Sequence, residues 1–526
     1  MPPSNSAADP SQRALRGAAD PGRSRITAAL ALVALAGCGS GCDGERRRLG
    51  APRPPVAAPT DAGAGSAIAA APDDAATGAA IASTAPGYLD APPGSLDSLF
   101  VGLAAAERAR AERADHPGTE LHDPAGRVLW LFFGDSHTAG DSMTARLRVT
   151  LQRKFGDAGR GLVAAGRPPA RHYYQRDVRY GAAGAWKVAI GGHKSDPEPY
   201  GLAGMRVYGQ RKGAELWVET CGDSPSGNRD AQFEILYFSA PDHGILRYRV
   251  DDRPWQQLKT RTAASEPAHP AREVVPVADG AHRLTLEHGG GGVIDLFGVV
   301  LERLRPGVIV DALGVVGRRL GSLRSWDWSV IGEQLAIRDP RIVVLQYGTN
   351  EADDPDLDLE AMARYFDDTI LRIRAAAPTA AVLVLGPPDM AIREAGKQCD
   401  RMKPDPRNPD APVIPECEWH TPHVLAEIIS VEHAAALRNH AAFFDTFGAM
   451  GGADRMHAWF LAEPKAAYKD HVHLTDVGYQ WWADALSSAV LAEYARWRAR
   501  QSLPPTAPLD PPPPVIPSDA ALPGSP

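Results

Sequence analysis

Two short segments, far apart in the chain, hold the side chains needed to attack an acyl group. Phe133-Gly134-Asp135-Ser136-His137 closes an apolar run, and Asp470-His471-Val472-His473 precedes a helical pattern near the C-terminus. A serine hydroxyl attacks only when a neighbouring base takes its proton, and an imidazole steadied by a carboxylate supplies that base. Asp470 and His473 stand close enough in sequence for the carboxylate to fold back onto the ring within one loop. Gly348-Thr349-Asn350 follows another strand-like run, where Asn350 can donate an amide N–H into a site or cap a turn. Gly314 and Gly317 follow a further apolar run. Either can expose a backbone N–H to a developing oxyanion or merely permit a tight turn.

Competing constellations are weaker. His471 with His473 lacks the partners of a recognisable metal arrangement, and Glu418, His420 and His423 could bind metal but their Pro-rich surroundings favour a surface loop. No metal or cofactor is expected. Gly222-Asp223-Ser224 repeats the Gly-Asp-Ser tripeptide, but Pro225-Ser226-Gly227-Asn228 behind it has the composition of a loop. Gly289–Gly292 lacks the strand before and helix after that a phosphate loop needs, so it reads as a hairpin turn. Arg318 and Arg319 are available to an acidic glycan, but solvated surface is the simpler role.

The elements that must position these residues alternate. Val128–Phe133, Val308–Leu313, Ile342–Tyr347, Ala381–Leu385 and Ala442–Phe447 are continuous apolar blocks, expected of parallel strands covered on both faces. Helical patterns fall at Leu96–Arg113, Ser142–Lys154, Trp328–Ile337, Leu359–Ala377, Pro422–Asn439 and Asp476–Arg500. This predicts an α/β fold, a flavodoxin-like doubly wound sheet of five parallel strands with the site at their C-terminal ends. Between its first helix and second strand lies a stretch far longer than a crossover requires. Strand-like runs at Met205–Tyr208, Glu215–Glu219, Phe233–Phe238, Leu246–Val250, Ala281–His288 and Val293–Glu302 predict an inserted β-sandwich. Trp186, Trp217, Trp255, Tyr173, Tyr174 and Tyr180 could stack on sugars there, but core packing is the simpler role.

With 526 residues, 44% hydrophobic and 23% charged, the chain has room for two folded units plus tails. A net charge of −8 provides no basic stripe, so nucleic acid is not an expected partner. The N-terminus reads as a secretory signal: Arg13, Arg16, Arg23 and Arg25 precede the apolar run Ile26 to Ala36. Leu35-Ala36-Gly37-Cys38 resembles the bacterial lipobox, which implies a lipid on Cys38, a membrane anchor and export to the cell envelope. An exported compartment would permit a bridge between Cys399 and Cys417, with two free thiols as the alternative. The predicted organisation is signal peptide 1–38, Ala/Pro-rich linker 39–93, catalytic domain 94–165 and 305–500, insert 166–304, and Pro-rich tail 501–526.

No Gly-x-Ser-x-Gly elbow surrounds Ser136, which argues against the α/β-hydrolases. Gly134-Asp135-Ser136, a second-block glycine, Gly348-Thr349-Asn350 and Asp470-x-x-His473 instead resemble the blocks of SGNH, or GDSL-type, hydrolases. The run Gly134-Asp135-Ser136-His137-Thr138-Ala139-Gly140-Asp141 is most similar to bacterial peptidoglycan O-acetylesterases, which carry a carbohydrate-binding-module-like sandwich at the same place. The resemblance implies Ser136 as nucleophile, His473 as base and Asp470 as its orienting acid. It implies an oxyanion hole from Ser136, a second-block glycine and Asn350. Gly317, nearest the next helix, is preferred over Gly314. The implied activity is removal of O-acetyl groups from an envelope polysaccharide, most readily peptidoglycan. An acyltransferase or a thioesterase/lysophospholipase would use the same three residues.

Overall fold

A computed structural model describes residues 87–115, 124–166, 174–192, 198–222, 224–393, 402–403, 413–415 and 417–504. The predicted signal with Cys38, nearly all of the linker, Cys399 and residues 505–526 lie outside the described residues. No described helix is long and apolar enough to cross a membrane.

The central sheet has six strands, β1 (Leu89–Asp90), β2 (Arg127–Gly134), β3 (Gly307–Gly314), β4 (Ile342–Gln346), β5 (Ala381–Leu385) and β6 (Ala442–Phe444). Their spatial order is β3-β2-β4-β5-β6-β1. Strands β2 to β6 pair in parallel, whereas β1 joins β6 antiparallel through Leu89↔Phe444 and Asp90↔Phe443. Six strands therefore replace the expected five, and the catalytic domain begins before residue 94. A two-residue edge strand offers no periodicity to read.

Alternation along the strands sends successive residues into two separate cores. Trp130, Phe132, Val310, Val344 and Leu383 face one core, with Asp97–Asp115, Ser142–Phe155 and Asp476–Arg500 packed on it. Leu131, Phe133, Leu313, Val343 and Val384 face the other, under Trp328–Arg338, Leu359–Ala376 and His423–Arg438. Burial on both faces is why these strands are apolar throughout. The expected strand Ala442–Phe447 stops at Phe444, because Asp445 caps a short helix at Thr446–Ala449.

The insert forms two antiparallel sheets around a shared core. One runs Gln256–Lys259, Ile245–Val250, Arg283–Gly290, Glu215–Thr220, Val178–Ala183. The other runs His269–Gly280, Asp230–Ser239, Ile294–Glu302, Met205–Gly209, Trp186–Ile190, and Gly159–Val163 also pairs with Ile294–Glu302. The sandwich thus begins before residue 166. Gly289–Gly292 is not a hairpin turn, because the strands on its two sides belong to different sheets. It carries the chain across the sandwich, passing so close to Asp242 that a Cβ on Gly292 would lie 2.2 Å from its carbonyl oxygen.

Buried charge joins insert to catalytic sheet. Asp311 on β3 accepts the Leu162 N–H at 2.7 Å and both Nε and Nη2 of Arg338, at 3.1 and 2.9 Å. Glu302, ending the last insert strand, accepts Arg338 Nη1 at 2.6 Å and Arg127 Nη2 at 2.8 Å. Burial pushes the Glu302 carboxyl up, but the Arg127 and Arg338 guanidiniums override it and set its pKa at about 2. A folded pKa below the usual value means stability that is present above about pH 4.5 and lost as pH falls through about 2. Glu302→Gln should therefore flatten the decline in melting temperature between about pH 5 and about pH 2. Arg338→Met should cost about 3–5 kcal/mol in urea titration, because it leaves buried carboxylates short of a partner. A loss below about 1 kcal/mol would show that this network does not hold the junction.

Candidate active site

The site lies at the C-terminal ends of β2, β3 and β4. After Gly134 the chain turns at Asp135, whose side chain accepts the His137 N–H at 2.8 Å and caps the helix Ser136–Ala139. That helix packs directly on β3: a Cβ at Gly314 would lie 2.2 Å from the Ala139 nitrogen. Only glycine permits such an approach, so the requirement at Gly314 is close packing. Gly317 is different. It sits at φ +71 with nothing within 4 Å of where a Cβ would be, in a turn open to the surroundings.

Ser136 and His473 meet: Ser136 Oγ lies 2.8 Å from His473 Nε2. On the other side of the ring, Nδ1 lies 2.9 Å from Asp470 Oδ2. Asp470 Oδ1 accepts the backbone N–H groups of Val472 and His473, at 3.1 and 3.0 Å, which folds the loop around its own carboxylate. Burial opposes the Asp470 charge, but the hydrogen bond and charge of His473 hold its pKa at about 2. Burial likewise pushes His473 down, yet Asp470 overcomes it and the imidazole pKa lies above 6.5. Such a chain can take the serine proton and stabilise the resulting imidazolium.

Asn350 lies in the first turn of the short helix Thr349–Ala352 after β4 and donates from Nδ2 to the Arg318 carbonyl at 3.1 Å. This brings the Asn350 amide beside the residue that follows Gly317, and the same nitrogen carries a second N–H. Arg319 does not serve as free surface: its Nε donates to the Asn350 carbonyl at 3.0 Å and its Nη1 pairs with Asp354.

Several supporting residues carry no local sequence signal. Glu351, next to Asn350, accepts the Leu320 N–H at 2.8 Å and the Gly348 N–H at 3.0 Å, tying two site loops together. Glu432, from the helix His423–Arg438, is fully buried beneath Gly348, with neither carboxyl oxygen hydrogen-bonded to a protein group among the described residues. Burial raises its pKa well above the usual range. His137 is also fully buried, with Nδ1 2.9 Å from Tyr479 Oη and its ring centre 5.4 Å from that of His473. The signal available for Tyr479 and Trp482 was only the apolar face of a helix.

Asp141 closes the motif with a left-handed φ of 47 and no exposure. It accepts Arg148 Nη2 at 3.0 Å, Arg160 Nη2 at 2.7 Å and the Arg176 N–H at 2.8 Å. Arg176 in turn reaches Ser142 Oγ and Asp476 Oδ1, both at 2.8 Å. The insert strand Val178–Ala183 therefore starts from a point pinned to the site.

The alternative metal sets do not assemble. His471 directs Nδ1 to the Lys469 carbonyl at 3.0 Å and Nε2 to His457 Nδ1 at 2.8 Å, while its ring stacks on Trp419. His420 Nδ1 donates to the Glu418 carbonyl at 2.9 Å. Among the described residues no group of three or more His, Cys, Asp or Glu side chains is arranged to hold a metal ion. In the second Gly-Asp-Ser copy, Ser224 donates to Asp177 at 2.5 Å. Cys221 and Cys417 are both in disulfides.

Residues 279–481 match the GDSL-like Lipase/Acylhydrolase family. The chain thus carries a GDSL-like lipase/acylhydrolase domain and is an ester-bond hydrolase. The match begins within the insert, so the interruption leaves Ser136 upstream of it. A peptidoglycan O-acetylesterase structure shares the fold with a TM-score of 0.57 and 21% identity, over 78% of this chain and 100% of that one. An acetyl xylan esterase aligns with a TM-score of 0.24 and 16% identity, over 35% and 80%. A family two carbohydrate esterase from Clostridium thermocellum gives 0.22 and 11%, over 61% and 100%. Neither of these two overlaps well enough to bear on the fold. No curated protein matches in sequence.

Reactivity of Ser136 should rise with pH as His473 loses its proton, with a midpoint above 6.5, because only the neutral ring accepts a proton. The pH dependence of inactivation by an acyl-directed phosphonate measures this. Asp470→Asn should move the midpoint down, since burial is then opposed only by the weaker influence of Asp135, and lower the plateau by up to about 10⁴-fold. An unmoved midpoint would exclude Asp470 as the orienting acid.

Proposed function

We propose that this chain is a serine esterase that removes O-acetyl groups from an envelope polysaccharide, most readily peptidoglycan. The observation that carries the reading is the unbroken chain Asp470–His473–Ser136, with separations of 2.9 and 2.8 Å, at the strand ends. Ser136 Oγ attacks the acetyl carbonyl carbon while His473 Nε2 takes the hydroxyl proton. The tetrahedral oxyanion is met by the N–H groups of Ser136 and Gly317 and by the Asn350 amide. As the intermediate collapses, the C–O bond to the sugar breaks and His473 returns its proton to the leaving sugar oxygen. Water then adds to the acetyl-enzyme, giving its proton to His473, and Ser136 is restored as acetate leaves.

The peptidoglycan preference is supported by the Gly134–Asp141 motif, the position of the insert and the shared fold with a peptidoglycan O-acetylesterase over that protein's full length. In the same reading, Cys38 carries a lipid and the protein faces the periplasm from a membrane. Disulfides at Cys221 and Cys417 fit an oxidising compartment outside the cytosol.

Acetate release from O-acetylated peptidoglycan and from acetylated xylan, with no added acceptor, tests the reaction. Ser136→Ala should abolish release, and Asn350→Ala should lower kcat by about 10²–10³ with a smaller effect on KM. Transfer to an added sugar without acetate release would identify a transferase instead. Full activity of Ser136→Ala would remove the serine from its role.

A further inference from the structure

The insert's aromatic side chains are already covered. Trp217 lies against Gly181 with the Arg283 guanidinium 4.1 Å from its ring centre, and Trp255 is met by Arg247 and Arg249 at 4.8 and 4.7 Å. Trp186 packs over Gly209 in the sandwich core. Among the described residues, the only exposed aromatic side chains are Tyr174 and Tyr468, at 45% and 36%. Both are fastened to the site. The Tyr174 N–H donates to the Ala139 carbonyl at the end of the Ser136 helix, at 2.9 Å. The Tyr468 N–H donates to the carbonyl of His473 itself, at 2.8 Å.

We propose that Tyr174 and Tyr468 are the ring platforms of a glycan cleft across Ser136 and His473, each stacking on a pyranose of the acetylated chain. The inference rests on the esterase reading and names the residues that would give it preference for a sugar polymer. Pyranoses present a face of C–H bonds, and a tyrosine ring offers a complementary face at little cost in side-chain freedom. Both rings stand on backbone that is held before any ligand arrives. Gln175 accepts the Ala164 N–H, and Arg176 is fixed by Asp141, Ser142 and Asp476. On the opposite side, the Tyr468 carbonyl accepts the His471 N–H at 3.1 Å. The Tyr468 hydroxyl also senses both sides. Partial burial raises its pKa first, and the charges of Asp476, Arg176 and Asp470 act on it.

Tyr174→Ala and Tyr468→Ala in the full chain should each lower the ratio of kcat/KM on O-acetylated peptidoglycan to that on p-nitrophenyl acetate by about tenfold, mainly through KM. The Phe variants, which keep the ring, should restore that ratio. Equal losses on both substrates would overturn the proposal, because the tyrosines would then only support the catalytic segments. An unchanged ratio would overturn it too. If the wild-type protein releases acetate from no glycan, the esterase reading fails separately, and calorimetric titration with chitohexaose decides the cleft. Binding weakened about tenfold by either Ala variant would sustain it, and absent or unaffected binding would end it.

Discussion

One hydrogen bond, between Ser136 and His473, spans 337 positions of sequence. Everything else in the catalytic domain serves to make that contact short and lasting. Ser136 is fixed because β2 lies between β3 and β4 and its C-terminal turn is capped by Asp135. His473 is fixed because Asp470 gathers the loop about itself through one side-chain and two backbone hydrogen bonds. The long insert separates the two segments in sequence without separating them in space. It leaves the sheet after the helix Ser142–Phe155 and returns at β3, the immediate neighbour of β2.

Beneath this contact lies an accumulation of carboxyl groups that form no close ion pair among the described residues, although Arg319 acts at longer range on Glu351. Asp135, Glu351 and Glu432 are all buried, and burial raises the pKa of each, that of Asp135 to about 7. A buried carboxyl without a counter-ion resolves its cost by keeping a proton. Asp135 nonetheless contributes to the raised basicity of His473, after the larger effect of Asp470. The His473 imidazole is thus tuned by its direct partner and, more weakly, by the residue that caps the Ser136 helix.

Much of this was legible in the sequence where residues speak through local pattern. Strands such as Ala381–Leu385 have the predicted bounds because covering both faces of a strand forces every position to be apolar. Ser136, Asp470 and His473 could be named because their motifs are contiguous. What escaped was set by tertiary context. His269–Gly280 contains Pro270 and Pro276, which discourage a strand assignment, yet it is an edge strand where a missing N–H is tolerated. Glu432 looks like any helical glutamate, and only the fold places it under Gly348. Arg319, read as surface, proves to hold the carbonyl of Asn350.

The ion network at Glu302, Asp311 and Arg338 bears on how this architecture can be rearranged. Arg338 belongs to the catalytic domain, but one of its two carboxylate partners is contributed by the final insert strand. Excising the sandwich would therefore unbalance charge inside the remaining core, not simply expose a clean seam. A graft from another protein would have to bring an acid to the same place. The two parts share one buried ion network, and an engineer would do better to redesign them jointly than to treat the sandwich as an exchangeable cassette.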